Sequence, residues 1–169
     1  MQGDCSRVES RVFADDGTFP NSFMPVLIYR RALEGEVTSS RIEAMFAANN
    51  WPAQWVASIY DYHHYHSTAH EVLGVCAGSA RVALGGPNGE VVDLAVGDVV
   101  VIPAGVAHKL ESASDDFAVV GAYPPGQDWD VLVGEERERV IANDNLAHVP
   151  LPKSDPVCGA SGPLVEVWH

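Results

Sequence analysis

The sequence predicts an all-β domain, a sandwich or barrel of short strands, and three observations carry that expectation. From Trp55 to about Tyr123, runs of four to eight residues rich in β-branched side chains recur between Gly, Pro, Asn and Asp punctuation. Several of these runs alternate, with Ala80, Val82 and Leu84 on one face and Val99 and Val101 opposed to Val100 and Ile102. At 169 residues, 47% apolar and 20% charged, the chain is long enough for one well-buried core and has neither a disordered nor a fibrous composition.

Residues 1–24 mix Asp, Gly, Ser and Pro and read as an extended N-terminal arm ahead of a single domain over 25–169. Pro25–Leu33 reads as the first strand of that domain. Thr38-Ser39-Ser40 before apolar positions at i, i+3 and i+4 predicts a short helix that Asn49-Asn50-Trp51-Pro52 ends. Gly85–Gly89 and Val96-Gly97-Asp98 supply turns between later strands. Beyond Pro124-Pro125-Gly126 the strand pattern stops. Asp128–Asn145 reads as a short acidic helix and loop before a Pro-punctuated tail packed outside the strands.

The formal charge of −13, without a Lys/Arg cluster, excludes nucleic acid as an expected partner. No run of 18 apolar residues and no signal-like N-terminal stretch occurs, so the expectation is no membrane association and a cytoplasmic location. Cys5, Cys76 and Cys158 are odd in number and widely spaced, with no CxxC pair. They predict neither a disulfide framework nor a zinc knuckle, and a reducing compartment fits them. Cys76 reads as an inert, half-buried thiol.

The chemically informative segment is Tyr60–Glu71, where four of the seven histidines fall within eight residues. On a strand, residues i and i+2 share a face, so His64 and His66 can converge while His63 and Tyr65 point away. A turn at Ser67-Thr68-Ala69 can then bring Glu71 beside the pair. A different turn there would present His70 instead. Thirty residues on, Gly97–His108 delivers a strand, a turn set by Pro103 and Gly105, and a histidine aimed back inside. A lone strand histidine is more often structural than a ligand. Four donor residues at this spacing point instead to one metal ion held by His64, His66, Glu71 and His108.

His63 and His70 are expected to be structural, and His148 and His169 to lie on the surface. Tyr60 and Tyr62 share the inward parity of His64 and His66; they read as core filler, with a catalytic role as the weaker alternative. Arg81 has outward parity. Gln127, Trp129 and Asp130 either close the mouth of the site or form a surface turn.

His64-x-His66, four residues, Glu71, six residues and Gly78, then Gly97, five residues, Pro103-x-Gly105, two residues and His108, closely resemble the two motifs of the cupin superfamily. Eight fixed positions match in order. Ser58 stands where the first motif begins with Gly, and Ser112 where the second ends with Asn. The wider chain, including Gly121–Asp130, resembles the YjlB-type bacterial cupins. The resemblance implies a double-stranded β-helix, or jelly-roll barrel, with the metal-motif core at 58–123, a metal near one mouth, and a homodimer.

Three neutral imidazoles and a carboxylate suit Fe(II), Zn(II), Mn(II), Ni(II) or Co(II), and on an octahedral ion they leave two positions open for a small-molecule ligand or substrate. Barrels of this kind serve many activities. The first expectation is an Fe(II) dioxygenase acting on a small polar or aromatic molecule. The alternatives are a non-oxidative metal-assisted isomerase or lyase, or a non-catalytic binding module.

Overall fold

The computed structural model describes residues 3–169 as three stacked layers. Nine strands run in order: β1 (Val8–Phe13), β2 (Ser22–Tyr29), β3 (Ala53–Ala57), β4 (Glu71–Ala77), β5 (Ser79–Leu84), β6 (Glu90–Ala95), β7 (Val99–Ile102), β8 (His108–Ala113) and β9 (Ala118–Ala122). The helices are α1 (Ser39–Ala48), α2 (Arg139–Leu146), preceded by a 3-10 turn at Glu136–Glu138, and α3 (Pro163–Val167). One antiparallel sheet has six strands in the order β1-β2-β7-β4-β9-β3 and the other three, β6-β5-β8.

Strand alternation explains the layering. On the six-stranded sheet, Leu27, Tyr29, Val72, Val99, Val101, Val120 and Ala122 face one way, toward Ile42, Met45 and Phe46 of α1 and toward Trp51, Val157, Leu164 and Trp168. Their neighbours Val26, Ile28, Leu73, Val75, Val100, Ile102 and Val119 face the other way and meet Ala80, Val82, Leu84, Val92 and Leu94 of the small sheet. β7 is therefore buried on both faces, and its unbroken run Val99–Ile102 is what such a strand requires. The space between the two sheets is the one that opens onto the histidines.

The expected helix after Thr38 is present, and the Thr38 side chain accepts from the Arg41 amide as its cap. Neither sheet closes on itself. β1 and β3 are edges of the large sheet, and β6 and β8 of the small one. The β-rich expectation is accordingly met by a mixed arrangement of two sheets with helices and a tail covering one of them. No helix among the described residues is long and apolar enough to cross a membrane.

Two sequence expectations need correction. The strand expected at Pro25–Leu33 begins earlier, at Ser22, and is not the first: part of the stretch assigned to an arm, Val8–Phe13, pairs with β2 as an edge strand. The tail packs outside the sheets as expected, and there Val157, Leu164 and Trp168 complete the core under α1. The cysteines are not all free: Cys5 and Cys158 form a disulfide across 153 residues, leaving only Cys76 unpaired and half-buried. Spacing rules see local pairs; this one exists because the tail returns to the N-terminal segment.

Beside the disulfide, buried Asp155 accepts from the Tyr29 hydroxyl (2.5 Å) and from the amides of Val157, Cys158 and Leu164, so its charge is met on every side. Removing a cross-link that spans nearly the whole chain releases unfolded-state entropy. Cys158→Ser is expected to cost about 2–5 kcal/mol, read from urea denaturation of the two proteins without reductant; coincident curves would contradict a formed disulfide.

Candidate metal centre

Between the sheets at one end, three imidazoles converge. His64 and His108 are cross-strand partners: the His64 amide donates to the His108 carbonyl (3.1 Å) and the His108 amide to the His64 carbonyl (2.9 Å). Directly paired residues put their side chains on one face, and the two rings lie 4.1 Å apart. His66, two residues on, shares that face, with its ring 5.6 Å from His64 and 5.3 Å from His108. One ring nitrogen from each of the three lies within 4.8 Å of the others. Glu71 opens β4 with the parity of Leu73 and Val75, so its carboxylate enters the same space, where it is 2% exposed.

The tautomers follow from the partners. The Nδ1 atoms of His64, His66 and His108 lie 3.0, 2.5 and 3.1 Å from the carbonyls of Tyr62, Asp130 and Val106. A carbonyl only accepts, so each Nδ1 carries the proton and each Nε2 a lone pair. His66 Nε2 is then 3.2 Å from Glu71 Oε2, and His108 Nε2 3.0 Å from Oε1. His66 Nε2 is buried and makes no hydrogen bond. Lone pairs facing lone pairs at this distance repel, so protons or a cation must stand between them. This donor set, mixed nitrogen and oxygen with its outer nitrogens already bonded, is a site suited to one divalent transition metal.

The electrostatics describe the competing protons. Burial drives His64 down to about 3, assisted by repulsion from His108. Burial is also the largest influence on His66 and lowers it, but the charge and hydrogen bonding of Glu71 together with Asp130 outweigh it, and the net shift is upward. Glu71, pushed up by burial, is pulled further down by attraction to His66 and by hydrogen bonding from His108, and ends well below the usual carboxylate range.

Each donor is held from behind. The Gly105 amide donates to the His66 carbonyl (2.8 Å), tying the turn before His108 onto the His64–His66 segment. Gly105 sits at φ +96°, and a Cβ there would lie 2.5 Å from the Asn21 carbonyl oxygen, so only glycine makes this turn. Buried Asn21 spans the turn, donating its amide to the Gly105 carbonyl and accepting from the Ala107 amide. The Asp130 carboxylate takes the Ser67 amide (2.6 Å) and hydroxyl (2.5 Å), fixing the chain next to His66. Gln127 accepts from the His70 amide (3.0 Å). The 127–130 segment thus clamps the site.

His70 faces the opposite layer, its ring 4.8 Å from Trp168 and its Nδ1 accepting from the Ala104 amide (2.9 Å). Glu71, not His70, therefore enters the cluster. His63 packs half-buried against Phe19, and Arg81 is exposed and paired with Asp93. Tyr60 and Tyr62 are not core filler: they are 52% and 43% exposed and stack on one another, rings 5.1 Å apart. The parity argument misled because 60–63 is not a strand; only His64 and Tyr65 form isolated bridges.

The sequence reading missed Tyr123, Trp55 and Asn21. The Tyr123 hydroxyl donates to Glu71 Oε2 (2.6 Å) and accepts from Trp55 Nε1 (2.9 Å). Tyr123 shares parity with Val119 on β9, the only signal that could have placed it here. Together with Trp55, Ile59, Tyr60, Leu73 and Trp129, these groups enclose a cavity of about 210 Å³ that ends on the histidines.

A family model described as a cupin domain matches residues 57–121. The chain is 41% identical over 157 residues to YjlB of Bacillus subtilis (strain 168), covering 92% of this chain and 93% of that one. Among solved structures, acireductone dioxygenase from Bacillus anthracis with a cadmium ion in its active center is 18% identical (TM-score 0.42; 74% of this chain, 82% of that one). RmlC from Streptococcus suis in complex with dTDP-D-xylose is 14% identical (TM-score 0.41; 96% and 94%). These two distant likenesses carry no argument about substrate or reaction.

Metal-free protein should show a defined acid weakness. His64 and His70 stay neutral in the fold down to about 3 and about 4, both chiefly through burial, whereas in the unfolded chain they take up protons near 6.5. The unfolded state then binds more protons below 6.5, and stability falls with pH by roughly 2–3 kcal/mol per histidine by pH 4.5. His66, with its raised value, acts in the opposite sense, and its contribution fades as pH rises through that value. Urea midpoints from pH 8 to 4.5 should peak near neutrality; a flat profile below 6.5 would contradict buried neutral imidazoles.

Proposed function

The chain belongs to the cupin superfamily, and from that premise we propose that it is a metal-dependent enzyme, dioxygenase-like, that holds one divalent metal through His64, His66, His108 and Glu71 and acts on a small aromatic or polar molecule. We read the two facing sheets as the double-stranded β-helix of that superfamily, with the cavity at its mouth. The observation that carries the proposal is the convergence of three imidazoles, each oriented by a backbone carbonyl, with the buried Glu71 carboxylate beside the Nε2 atoms of His66 and His108.

A divalent ion held there supplies Lewis-acid polarisation of a substrate oxygen and, as Fe(II), redox chemistry with O₂. The protein's own groups favour the second use. Apart from the four donors, the cavity is lined by Trp55, Ala57, Ser58, Ile59, Leu73, Trp129 and the phenols of Tyr60 and Tyr123. Tyr123 is pushed up by burial and by the Glu71 charge, so its proton stays on the phenol oxygen and holds Oε2 in place. That leaves Tyr60 at the mouth, with Tyr62 stacked on it, as the candidate for moving a proton. Isomerase or lyase chemistry would draw its acid and base from these walls, where Tyr60 is the phenol not already bonded to a metal donor. The apolar walls exclude water from the donors.

Elemental analysis of untagged protein after Fe(II) reconstitution should give about one equivalent of iron, lost in His108→Ala and retained in His63→Ala. The loaded protein should consume O₂ with some member of a panel of single-ring aromatics. Turnover with Zn(II) and without O₂ would replace the oxidative reading by an isomerase or lyase, and loss of metal from His63→Ala would overturn the assigned donors.

A further inference from the structure

The same cavity constrains what can enter it. Its lining residues include no Lys and no Arg, and Glu71 is their only carboxylate. Its buried polar atoms are already committed: Trp55 Nε1 donates to Tyr123, and the Tyr123 hydroxyl donates to Glu71. The only strong attachment point for a polar ligand is therefore the metal end. Apart from Ser58, the rest of the surface is aromatic or aliphatic.

Two aromatic pairs frame the opening. Trp129 lies parallel to Tyr123, rings 4.3 Å apart and 5° from coplanar, and remains 39% exposed. Tyr60 is stacked on Tyr62 and edge-on to His64 at 5.0 Å. Flat, rigid walls of this kind select a flat partner. The volume, about 210 Å³, exceeds the roughly 150 Å³ that admits benzene and is below the usual range for drug-sized ligands. A second anionic group on the ligand would lie against these walls with no cation among them to meet it, in a chain whose net charge is already −13.

Resting on the metal-site reading above, we propose that the cavity takes a single-ring aromatic molecule bearing two adjacent oxygen donors and no other charged group, its oxygens directed at the three histidines and its ring against Trp129 and Tyr60. The class is that of a catechol. It excludes aromatic acids with a free carboxylate, dicarboxylates and phosphorylated sugars, each of which brings a charge that these walls leave unpaired.

The test is anaerobic isothermal titration of the zinc-loaded full chain, which binds without turnover, using catechol, 3,4-dihydroxybenzoate and trans-1,2-cyclohexanediol. Catechol should bind one to one, and both comparison ligands at least about tenfold more weakly. Trp129→Ala should weaken catechol by about tenfold at unchanged zinc content, and Trp129→Phe should restore it to within about threefold. Equal or tighter binding of the benzoate, or an unchanged affinity in Trp129→Ala, overturns the proposal. Zinc-loaded protein that ignores catechol overturns it while leaving the metal reading intact. A chain that retains no zinc fails at the metal reading itself.

Discussion

Everything at the functional end of this molecule depends on one electrostatic constraint: four lone-pair donors are forced together out of water, and something positive must stand among them. Three backbone carbonyls, those of Tyr62, Val106 and Asp130, set the constraint by taking the Nδ1 protons and turning every Nε2 inward. Two of those carbonyls belong to the segments that carry the histidines themselves. The third comes from the 127–130 segment, so the fold must bring that stretch back over the site. The arrangement would be costly without a cation or protons to offset the repulsion, and it persists because the surrounding turns leave the rings no other orientation.

That rigidity is built from ordinary elements. The paired backbones of His64 and His108, the glycine turn at 105 and the buried side chain of Asn21 form one hydrogen-bonded unit that links both sheets to the N-terminal region. On the reverse side of β4, His70 and Trp168 pack in the second core, where the tail is held by Asp155 and the Cys5–Cys158 disulfide. One strand thus presents its acid to the site and is flanked by a histidine turned toward the opposite layer.

The legible part of this site was the part governed by a period of two. His64 with His66 follows from alternation, and His108 from the Pro-x-Gly turn before it; Glu71 over His70 depended on the turn at 67–69 and was carried by the motif spacing. The alternation of Val99–Ile102 likewise fixed the middle layer, because one run of apolar residues had to serve two cores. Where the backbone leaves the strand, the same rule failed: Tyr60 and Tyr62 have inward parity on paper and lie exposed. Contacts between residues distant in sequence left no local pattern at all. Tyr123 meets Glu71 across 52 positions, Asn21 meets Ala107 across 86, and Cys5 meets Cys158 across 153.

The central claim, that the three imidazoles are fixed with Nδ1 protonated and Nε2 free to coordinate, is open to direct observation. Long-range ¹H–¹⁵N correlation spectra of histidine-labelled protein, recorded before and after adding one equivalent of Zn(II), report the tautomer of each ring. The account predicts that, in the zinc-loaded protein, His64, His66 and His108 carry the proton on Nδ1 and that zinc moves only their Nε2 resonances, leaving His63 and His70 unchanged. Rings protonated on Nε2 in the zinc-loaded state, or a zinc response confined to other histidines, would contradict it.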